Sequence, residues 1–350
     1  MCVNTHTGMI LYEELISLPR LLQAWEAFRR EKTNKHDVQV FSLNLEDNLF
    51  ALHTELKRKT YRHSGYEAFW VNDPKRRHIH KACVADRVLH HLLYTYLYEL
   101  FDPTFIHDSY SCRVGKGTHK GVERVVTFAR RESKNYTREC WALQFDIKQF
   151  FASAHHQVLK QLLAKKIADQ DILNLIFQVI DSFHTQEVPG AGIPLGNLTS
   201  QIFANIYLHE LDIYMKHGLK ARSYARYADD GIVLSVSKER LTELIFPISD
   251  FLQKELKLSL HPRKLRIRKL PWGIDFLGYI VLPRYVLPRT KTKRRLLKRI
   301  HAIDKHDDAE PMVQSYLGYL SHASTHRLRE VVKHIAYEKM SKTILPVIER

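Results

Sequence analysis

Two adjacent carboxylates lie between apolar stretches in the segment SYARYADDGIVLSV, residues 223–236. The flanks, Tyr224 to Tyr227 and Ile232 to Val236, have the aromatic and β-branched content of strands, so Asp229 and Asp230 are expected at a hairpin tip. Aspartate is also common in ordinary turns, because its side chain can bond its own backbone. A divalent cation would instead remove the repulsion between the pair. A metal site therefore requires a third carboxylate elsewhere in the chain.

That third carboxylate stands at the end of another apolar segment. Residues 141–147, WALQFDI, have the composition of a strand, and Asp146 lies at its C-terminal end. If this strand neighbours the hairpin, three carboxylates converge on one edge of a sheet. Such a set suits two Mg²⁺ ions roughly 4 Å apart, one activating an attacking oxygen and the other stabilising the departing one. Few protein ligands are needed, because substrate phosphates and waters complete the coordination of Mg²⁺.

Charge indicates the class of partner. The 350 residues include 54 Lys plus Arg against 38 Asp plus Glu, a formal net charge of +16. Nucleic acid is the favoured partner, since neutralised phosphates release counterions; a merely soluble basic surface and an anionic membrane are the alternatives. No apolar run approaches the roughly 18 residues that span a bilayer, and the N-terminus lacks a secretory pattern. We therefore expect a cytoplasmic protein without a membrane partner.

Hydrophobic periodicity predicts an α+β protein with helices over one face of a sheet. Helices are expected over residues 10–31, 45–59, 86–100, 158–184 and 238–256, and strands over residues 66–71 and 141–147. A turn is expected at Pro74, and Thr199 is expected to cap a buried helix that follows a glycine-rich loop. That loop lacks the Gly-Lys-Ser/Thr of a nucleotide P-loop.

Taken in order, these segments resemble the reverse transcriptases of the prokaryotic lineage that includes group II introns, most closely those of diversity-generating retroelements. The resemblance runs from about Lys75 to Ile280. FDIKQFF resembles the first palm block, IPLGNLTSQIFANIYLHELD the loop and helix under the nascent base pair, and YADD the catalytic hairpin. The basic stretch through Arg87 and SYSCRVGKGTHKG resemble the first fingers blocks, and LSLHPRKLRIR and IDFLGYIV the last palm blocks.

The resemblance implies a right-hand polymerase with fingers, a palm built on an antiparallel sheet and a short helical thumb. Its domains would be an N-terminal helical extension over residues 1–42, interleaved fingers and palm over 43–288, and a thumb over 289–350. The palm core would comprise about residues 138–157 and 199–288.

Site roles follow from the same resemblance. Asp146 and Asp229 would be the main ligands of two Mg²⁺ ions, for which Mn²⁺ can substitute, with Asp230 and the Ile147 carbonyl assisting. Lys264 resembles the lysine that protonates the departing pyrophosphate. The remaining candidates are Phe151, Leu195, Gly196, Gln201, Arg76, Arg77 and Lys81 for nucleotide binding, and Arg113, Lys116, Lys293, Arg294, Arg295 and Lys298 for nucleic-acid binding. Phe151 would exclude a 2′-hydroxyl.

From the residues alone, two of these assignments have plain alternatives. Phe151 is equally consistent with a core aromatic beside Phe150. Taken alone, Lys264 would be interpreted as one more solvated charge in the run HPRKLRIRK. Both side chains acquire a specific role only through the resemblance.

Two departures from the general pattern resemble the diversity-generating subgroup. Leu195-Gly196 stands where most relatives have Gln-Gly, and Ser200-Gln201 where they have Ser-Pro. This subgroup copies template adenines unfaithfully, because a lost contact to the incoming nucleotide weakens the geometric check on pairing. Drift in loop packing is the alternative, and Ala228 looks more like the intron-encoded enzymes.

The resemblance also implies partners: a template RNA, an RNA–DNA hybrid, deoxynucleoside triphosphates and a small basic oligomeric accessory protein. The cell would be bacterial, archaeal or phage-infected. Two alternative functions stay open at this point. One is a reverse-transcriptase-like RNA-binding protein of a phage-defence system, and the other is a group II intron-type polymerase without its maturase domain.

Overall fold

The computed structural model describes residues 10–72, 76–185, 188–303 and 309–341. Its helices are α1 Tyr12–Leu15, α2 Leu18–Arg29, α3 His36–Leu43, α4 Leu45–Lys57, α5 Val84–Phe101, α6 Thr118–Glu132, α7 Phe150–Ser153, α8 His156–Ala164, α9 Gln170–Asp181, α10 Leu198–Ile213, α11 Lys238–Glu243, α12 Ile245–Lys254, α13 Thr290–His301, α14 Glu310–Ser321 and α15 His326–Ser341. Its strands are β1 Glu67–Val71, β2 Arg77–Lys81, β3 Trp141–Asp146, β4 Tyr224–Tyr227, β5 Asp230–Ser235, β6 Arg266–Lys269, β7 Ile274–Phe276, β8 Tyr279–Leu282 and β9 Tyr285–Pro288. Within these ranges, no helix has both the length and the apolar composition that a membrane crossing requires.

The chain divides into two compact units, each assembled from separate segments. One unit takes the residues up to His107 with Ile147–Lys220 and Pro247–Pro262. The other takes Asp108–Asp146, Ala221–Phe246 and the residues from Arg263 onward. The α+β class is confirmed, whereas the predicted domain boundaries after residues 42 and 288 stay predictions.

A four-stranded antiparallel sheet forms the centre of the second unit, in the strand order β4, β5, β3, β6. Its central strands β3 and β5 are largely buried, as strands with two covered faces should be. Helix α6 packs on β4 and β5 through a buried stripe. That stripe consists of Gly121, Val122, Val125, Phe128 and Ala129. The spacing is that of an amphipathic helix facing a core.

Strands β7, β8 and β9 form a second antiparallel sheet in this unit. The Tyr279 hydroxyl of β8 donates to the Tyr319 carbonyl of α14 at 2.9 Å, which ties the sheet to the C-terminal helices. Helices α13, α14 and α15 share a small core of their own. This helical group is the described part of the predicted thumb.

In the first unit, α5 packs against both α2 and α10. The buried Asp86 of α5 accepts hydrogen bonds from the Tyr61 hydroxyl at 2.7 Å and from the Ser64 amide at 3.0 Å, so its carboxylate is satisfied. Strands β1 and β2 form a separate antiparallel hairpin in which every β1 residue is exposed.

Prolines divide two of the predicted helices. The helix predicted over residues 10–31 is wrong as a single element, because it consists of α1 and α2 with Pro19 in the first turn of α2. Residues 238–256 likewise form α11 and α12, with Pro247 in the first turn of α12. Proline lacks an amide donor and fits a first turn, where that donor has no helical partner.

A capping aspartate divides a third predicted helix. Asp169 accepts hydrogen bonds from the Asp171 and Ile172 amides and starts α9, so residues 158–184 form α8 and α9. Helices α3, α7 and α15 and strands β2 and β9 were not predicted. The other predicted helices and strands are confirmed to within about two residues at each end. The turn expected at Pro74 lies outside the described residues.

Candidate active site

The predicted hairpin is present, with Ala228 and Asp229 connecting β4 to β5. Ala228 has φ +51°, a left-handed conformation that costs a residue with a Cβ about 1–2 kcal/mol. Arg226, only 1% exposed, stabilises this turn from its buried side. Its Nη1 donates to the Ala228 carbonyl at 3.0 Å and its Nη2 to Ser109 Oγ at 3.1 Å. A buried arginine thus fixes the turn that carries Asp229.

The acidic residues of the two segments meet at one edge of the sheet. Asp146, the last residue of β3, is the register partner of Asp230, the first residue of β5. Directly opposed residues in an antiparallel pair present their side chains on the same face. Lys264, just before β6, donates from Nζ to Asp146 Oδ2 at 2.7 Å. The structure therefore brings together Asp146, Asp229, Asp230 and Lys264, whose catalytic roles stay predictions.

Mutual repulsion changes the acidity of this cluster. Burial, the charges of Asp229 and Asp146, and a hydrogen bond with Asp146 together raise the pKa of Asp230 to about 7. Asp230 keeps some access to solvent, so the repulsion of the two neighbouring carboxylates is a substantial part of this shift as well. Desolvation lowers the pKa of Lys264, but the hydrogen bond to Asp146 and the surrounding carboxylates outweigh it and raise that pKa overall.

The donor chemistry of the cluster fits a hard divalent cation. Mg²⁺ prefers carboxylate oxygens, and the raised pKa of Asp230 shows an excess of negative charge that a cation would relieve. In the part of the chain that the structure describes, no three His, Cys, Asp or Glu side chains already form a metal-binding group. The Lys264 ammonium and the hydrogen bond between the two carboxyls offset part of this charge. Ile147, whose carbonyl was predicted to assist, forms an isolated bridge with Leu260.

Gly231, next to the aspartate pair, allows β5 to pass beneath an aromatic ring. It is the register partner of Phe145, and a Cβ at this position would lie 2.2 Å from Phe145 Cζ. The Phe145 ring lies parallel to Tyr224, with 6.4 Å between centroids. Sequence reasoning missed both Gly231 and Arg226. An isolated glycine inside a strand pattern is the signal that could have found the first of them.

The predicted nucleotide-binding loop is hydrogen-bonded to strand β2 in the first unit. The His80 amide donates to the Leu195 carbonyl at 2.8 Å, and Asn197 Nδ2 donates to the His80 carbonyl at 2.8 Å. Gly196 has φ +117°, and a Cβ there would meet Ile79 Cγ2 at 2.7 Å. Only glycine suits both the backbone angle and this close approach. The Leu195-Gly196 pair is therefore held against the β1–β2 hairpin.

Thr199 does not cap helix α10, so that prediction was wrong. The N-cap is Asn197, and Thr199 lies inside the first turn. Its hydroxyl is instead 2.5 Å from His90 Nδ1 on α5. Because Thr199 is buried, its hydroxyl needs a protein partner in place of water, and His90 supplies it. Ser200 Oγ donates to the Pro194 carbonyl at 2.6 Å, while Gln201 is exposed.

The paired phenylalanines have different surroundings. Phe150 is 2% exposed and belongs to the core, whereas Phe151 is half-buried. Their rings meet edge to face with centroids 5.3 Å apart. The Phe151 carbonyl accepts a hydrogen bond from the Ile193 amide at 2.6 Å, which links it to the glycine-rich loop. The core-aromatic interpretation thus suits Phe150 better than Phe151.

The basic candidates do not form a single cluster. Lys81 is bound to carboxylates, with Nζ 2.8 Å from Asp37 and 3.6 Å from Glu67. Others contact their own segment: Arg113 donates to the Ser109 carbonyl at 3.2 Å, Lys116 lies 5.3 Å over the Tyr110 ring, and Arg76 lies over Trp70. The exposed ones are Arg76 just before β2, Arg77 on β2, and Lys293, Arg294, Arg295 and Lys298 on α13.

Comparison with known protein families agrees with this geometry. The sequence model of the family described as reverse transcriptase (RNA-dependent DNA polymerase) matches residues 72–281. This chain belongs to that family. All three aspartates of the acidic cluster and Lys264 lie inside the matched range.

Intron-encoded proteins are among the relatives of this reverse transcriptase. A 91 kDa protein in the cob intron of Schizosaccharomyces pombe is 30% identical over 136 residues, 38% of this chain and 16% of that protein. The group II intron-encoded protein LtrA of Lactococcus lactis is 23% identical over 177 residues, 49% of this chain and 28% of LtrA. The chain thus covers less than a third of either relative's length. The chain therefore has group II intron-encoded homologues, whereas the diversity-generating subgroup stays a prediction.

A solved telomerase shares the fold of this reverse transcriptase. The structure of apo telomerase from Candida tropicalis superposes with a TM-score of 0.54, covering 81% of this chain and 59% of the telomerase at 12% identity. At that identity the likeness concerns the fold alone. The predicted right-hand polymerase fold is confirmed.

Proposed function

We propose that this protein is an RNA-directed DNA polymerase that copies a template RNA into complementary DNA. The observation that carries the proposal is the pairing of Asp146 with Asp230 across β3 and β5, with Asp229 in the adjoining turn. Nucleotidyl transfer requires little from a protein beyond alignment and charge neutralisation. The net charge of +16 supplies attraction for the template and for the RNA–DNA hybrid.

In this proposal the acidic cluster is the metal site. Asp146 and Asp229, assisted by Asp230 and the Ile147 carbonyl, would hold two Mg²⁺ ions, and Mn²⁺ can substitute. When bound, the ions supply stabilisation of phosphoryl charge and activation of the attacking oxygen. Arg226 and Gly231 keep the ligands in register, one from beneath the turn and the other by admitting the Phe145 ring.

Lys264 is the proposed proton donor. Its raised pKa keeps Nζ protonated through the neutral range, and the salt bridge to Asp146 holds the ammonium beside the acidic cluster. The proton passes from Nζ to the departing pyrophosphate oxygen, which gains negative charge as its bond to the α-phosphorus breaks. Lys264 is left as a neutral amine, which regains its proton from water.

Phe151 and the glycine-rich loop are the proposed residues of nucleotide selection. Phe151 excludes a 2′-hydroxyl, which favours deoxynucleoside triphosphates, and Leu195, Gly196 and Gln201 contact the incoming nucleotide. Basic side chains supply the remaining contacts, with Arg76, Arg77 and Lys81 for triphosphate or template, and Arg113, Lys116, Lys293, Arg294, Arg295 and Lys298 for nucleic acid.

Primer extension tests the polymerase assignment. Purified protein, an RNA template with an annealed primer, Mg²⁺ and deoxynucleotides should yield complementary DNA, and Asp229→Ala should abolish it. Glu139→Gln is the matched control, since it removes a solvent-exposed carboxylate just before the opposite end of β3. Synthesis that persists in the Asp229→Ala protein would remove the site assignment.

We further propose that the enzyme belongs to a diversity-generating retroelement and misreads template adenines. Leu195 and Gln201 support this assignment, because they replace the side chains that most relatives place at the two ends of the loop. A small basic accessory protein would then be a partner. Sequencing of DNA made on a defined RNA tests the subgroup, with errors concentrated at template adenines expected.

A group II intron-type polymerase is the second candidate. The similarity to LtrA and the intron-like Ala228 favour it. Error rates at template adenines no higher than those at other template bases would select this candidate over the first.

A further inference from the structure

One face of the β1–β2 hairpin presents an exposed aromatic surface. Trp70 is 52% exposed, although tryptophan is usually largely buried. Its cross-strand partner is His78, and the two rings stack with centroids 4.5 Å apart and 11° between their planes. The Arg76 guanidinium lies 4.1 Å from the centroid of the same indole. Three flat groups therefore form one stack at the surface.

The stack continues along the strand towards the body of the first unit. His80 follows His78 on the same face with 4.4 Å between ring centroids, and Phe183 packs against His80 at 4.6 Å. These contacts fix the orientation of the His78 ring. Because side chains alternate along a strand, Ala68 is the only other β1 residue on this face within the strand.

Aromatic stacking distinguishes the two faces of the hairpin more than charge does. The face with Trp70 carries Arg76 and two histidines, and none of its strand residues is acidic. The opposite face carries Glu67, Arg77 and Lys81, with the Lys81 ammonium paired to carboxylates, and exposes Phe69 at 41%. Of the two faces, the Trp70 face combines a cation with a stack of flat rings, and an anionic ligand with flat apolar groups matches that combination.

We propose that Trp70, His78 and Arg76 form a stacking surface for unpaired bases of single-stranded nucleic acid. A base offers a π-face that can extend this stack, and its phosphate offers a charge for the guanidinium. The inference deepens the template-binding part of the proposed function and rests on it for its biological role. The geometry of the stack does not depend on the acidic cluster.

Binding of a fluorescein-labelled oligouridine tests this surface directly. One stacked base contributes about 1–3 kcal/mol, so Trp70→Ala should weaken binding by roughly 5- to 150-fold. Trp70→Phe should retain most of the affinity, because an aromatic face remains. Phe69→Ala is the matched control: it removes an aromatic side chain of similar exposure from the opposite face of the same strand and should bind like wild type.

Salt dependence separates stacking from charge. Trp70→Ala should leave the slope of log affinity against log salt unchanged, whereas Arg76→Ala should reduce it by roughly 0.7. This second variant also tests the surface if Trp70→Ala fails to fold. Duplex RNA of the same length should be insensitive to Trp70→Ala, since its bases are already stacked.

Two results would overturn the inference. One is an oligouridine affinity of folded Trp70→Ala equal to that of wild type, which would leave the stack as a hairpin-stabilising pair or a protein contact. The other is an equal loss in Trp70→Ala and Phe69→Ala. If the protein binds oligouridine through Trp70 but makes no DNA, the proposed function fails alone. If it makes DNA and Trp70 is irrelevant to binding, this inference fails alone.

Discussion

Replacing Gly231 with alanine tests how closely the acidic cluster depends on packing beneath it. The added methyl group would lie 2.2 Å from Phe145 Cζ, where ordinary contact begins at 3.4 Å, so the ring or the strand must move by 1.2 Å. Phe145 is 2% exposed and lies parallel to Tyr224, which leaves the ring little free space. Overpacking of a tight core costs about 1–3 kcal/mol, and we expect about 2–3 kcal/mol here.

The activity should fall more than the stability. Asp230 precedes Gly231 and Asp146 follows Phe145, so a displacement of β5 from β3 separates the two carboxyls directly. A misplacement of about 1 Å can reduce a rate by roughly 100-fold. We therefore expect roughly 100-fold slower primer extension by Gly231→Ala under conditions in which the protein remains folded.

Urea unfolding and single-nucleotide extension measure the two effects. The double variant Gly231→Ala with Phe145→Leu should lose less stability than the sum of the single variants, because the smaller side chain makes room for the methyl group. The reasoning is refuted if Gly231→Ala keeps its stability within about 0.5 kcal/mol of wild type and extends primers at the wild-type rate.

Three further predictions concern the chemistry. Metal-free protein should lose stability as the pH rises from about 4 to about 7 and level off above that, because the folded-state pKa of Asp230 is raised to about 7; Asp230→Asn should remove that dependence in thermal melts. Phe151→Val should raise ribonucleotide incorporation relative to deoxynucleotides by roughly 10- to 200-fold, measured by competition on one template. Unchanged discrimination would return Phe151 to the core. Lys264→Met should lower kcat by roughly 100- to 10,000-fold with little change in KM for the nucleotide, and a change in KM alone would contradict a role in proton transfer.

The sequence predicted the acidic cluster because its determinants are local. The position of each carboxylate at the end of a strand follows from its neighbours in sequence. Strand-like residues flank Asp229 and Asp230, and an apolar run precedes Asp146. The sequence analysis left open whether the two segments neighbour each other, and the register that opposes Asp146 to Asp230 appears only in the folded sheet.

Features set by distant contacts were not predicted. Thr199 has the position and chemistry of a cap, but a buried histidine over a hundred positions earlier in the chain takes its hydroxyl. Arg226 reads as an exposed charge by composition, yet hydrogen bonds such as those to Ala228 and Ser109 allow complete burial of its guanidinium. The helix breaks near Pro19 and Asp169 had local signals, a proline in a first turn and a capping aspartate. The prediction relied on hydrophobic periodicity, which continues across both breaks.

Divalent metal binding at the acidic cluster is the most direct test of the account. Mn²⁺ binding, followed by electron paramagnetic resonance in the presence of an RNA–DNA hybrid and a nonhydrolysable deoxynucleotide, should saturate in wild-type protein and in Glu139→Gln. Asp146→Asn and Asp229→Asn should each lose that binding while remaining folded. Equal Mn²⁺ occupancy in wild type and in both asparagine variants would contradict the account.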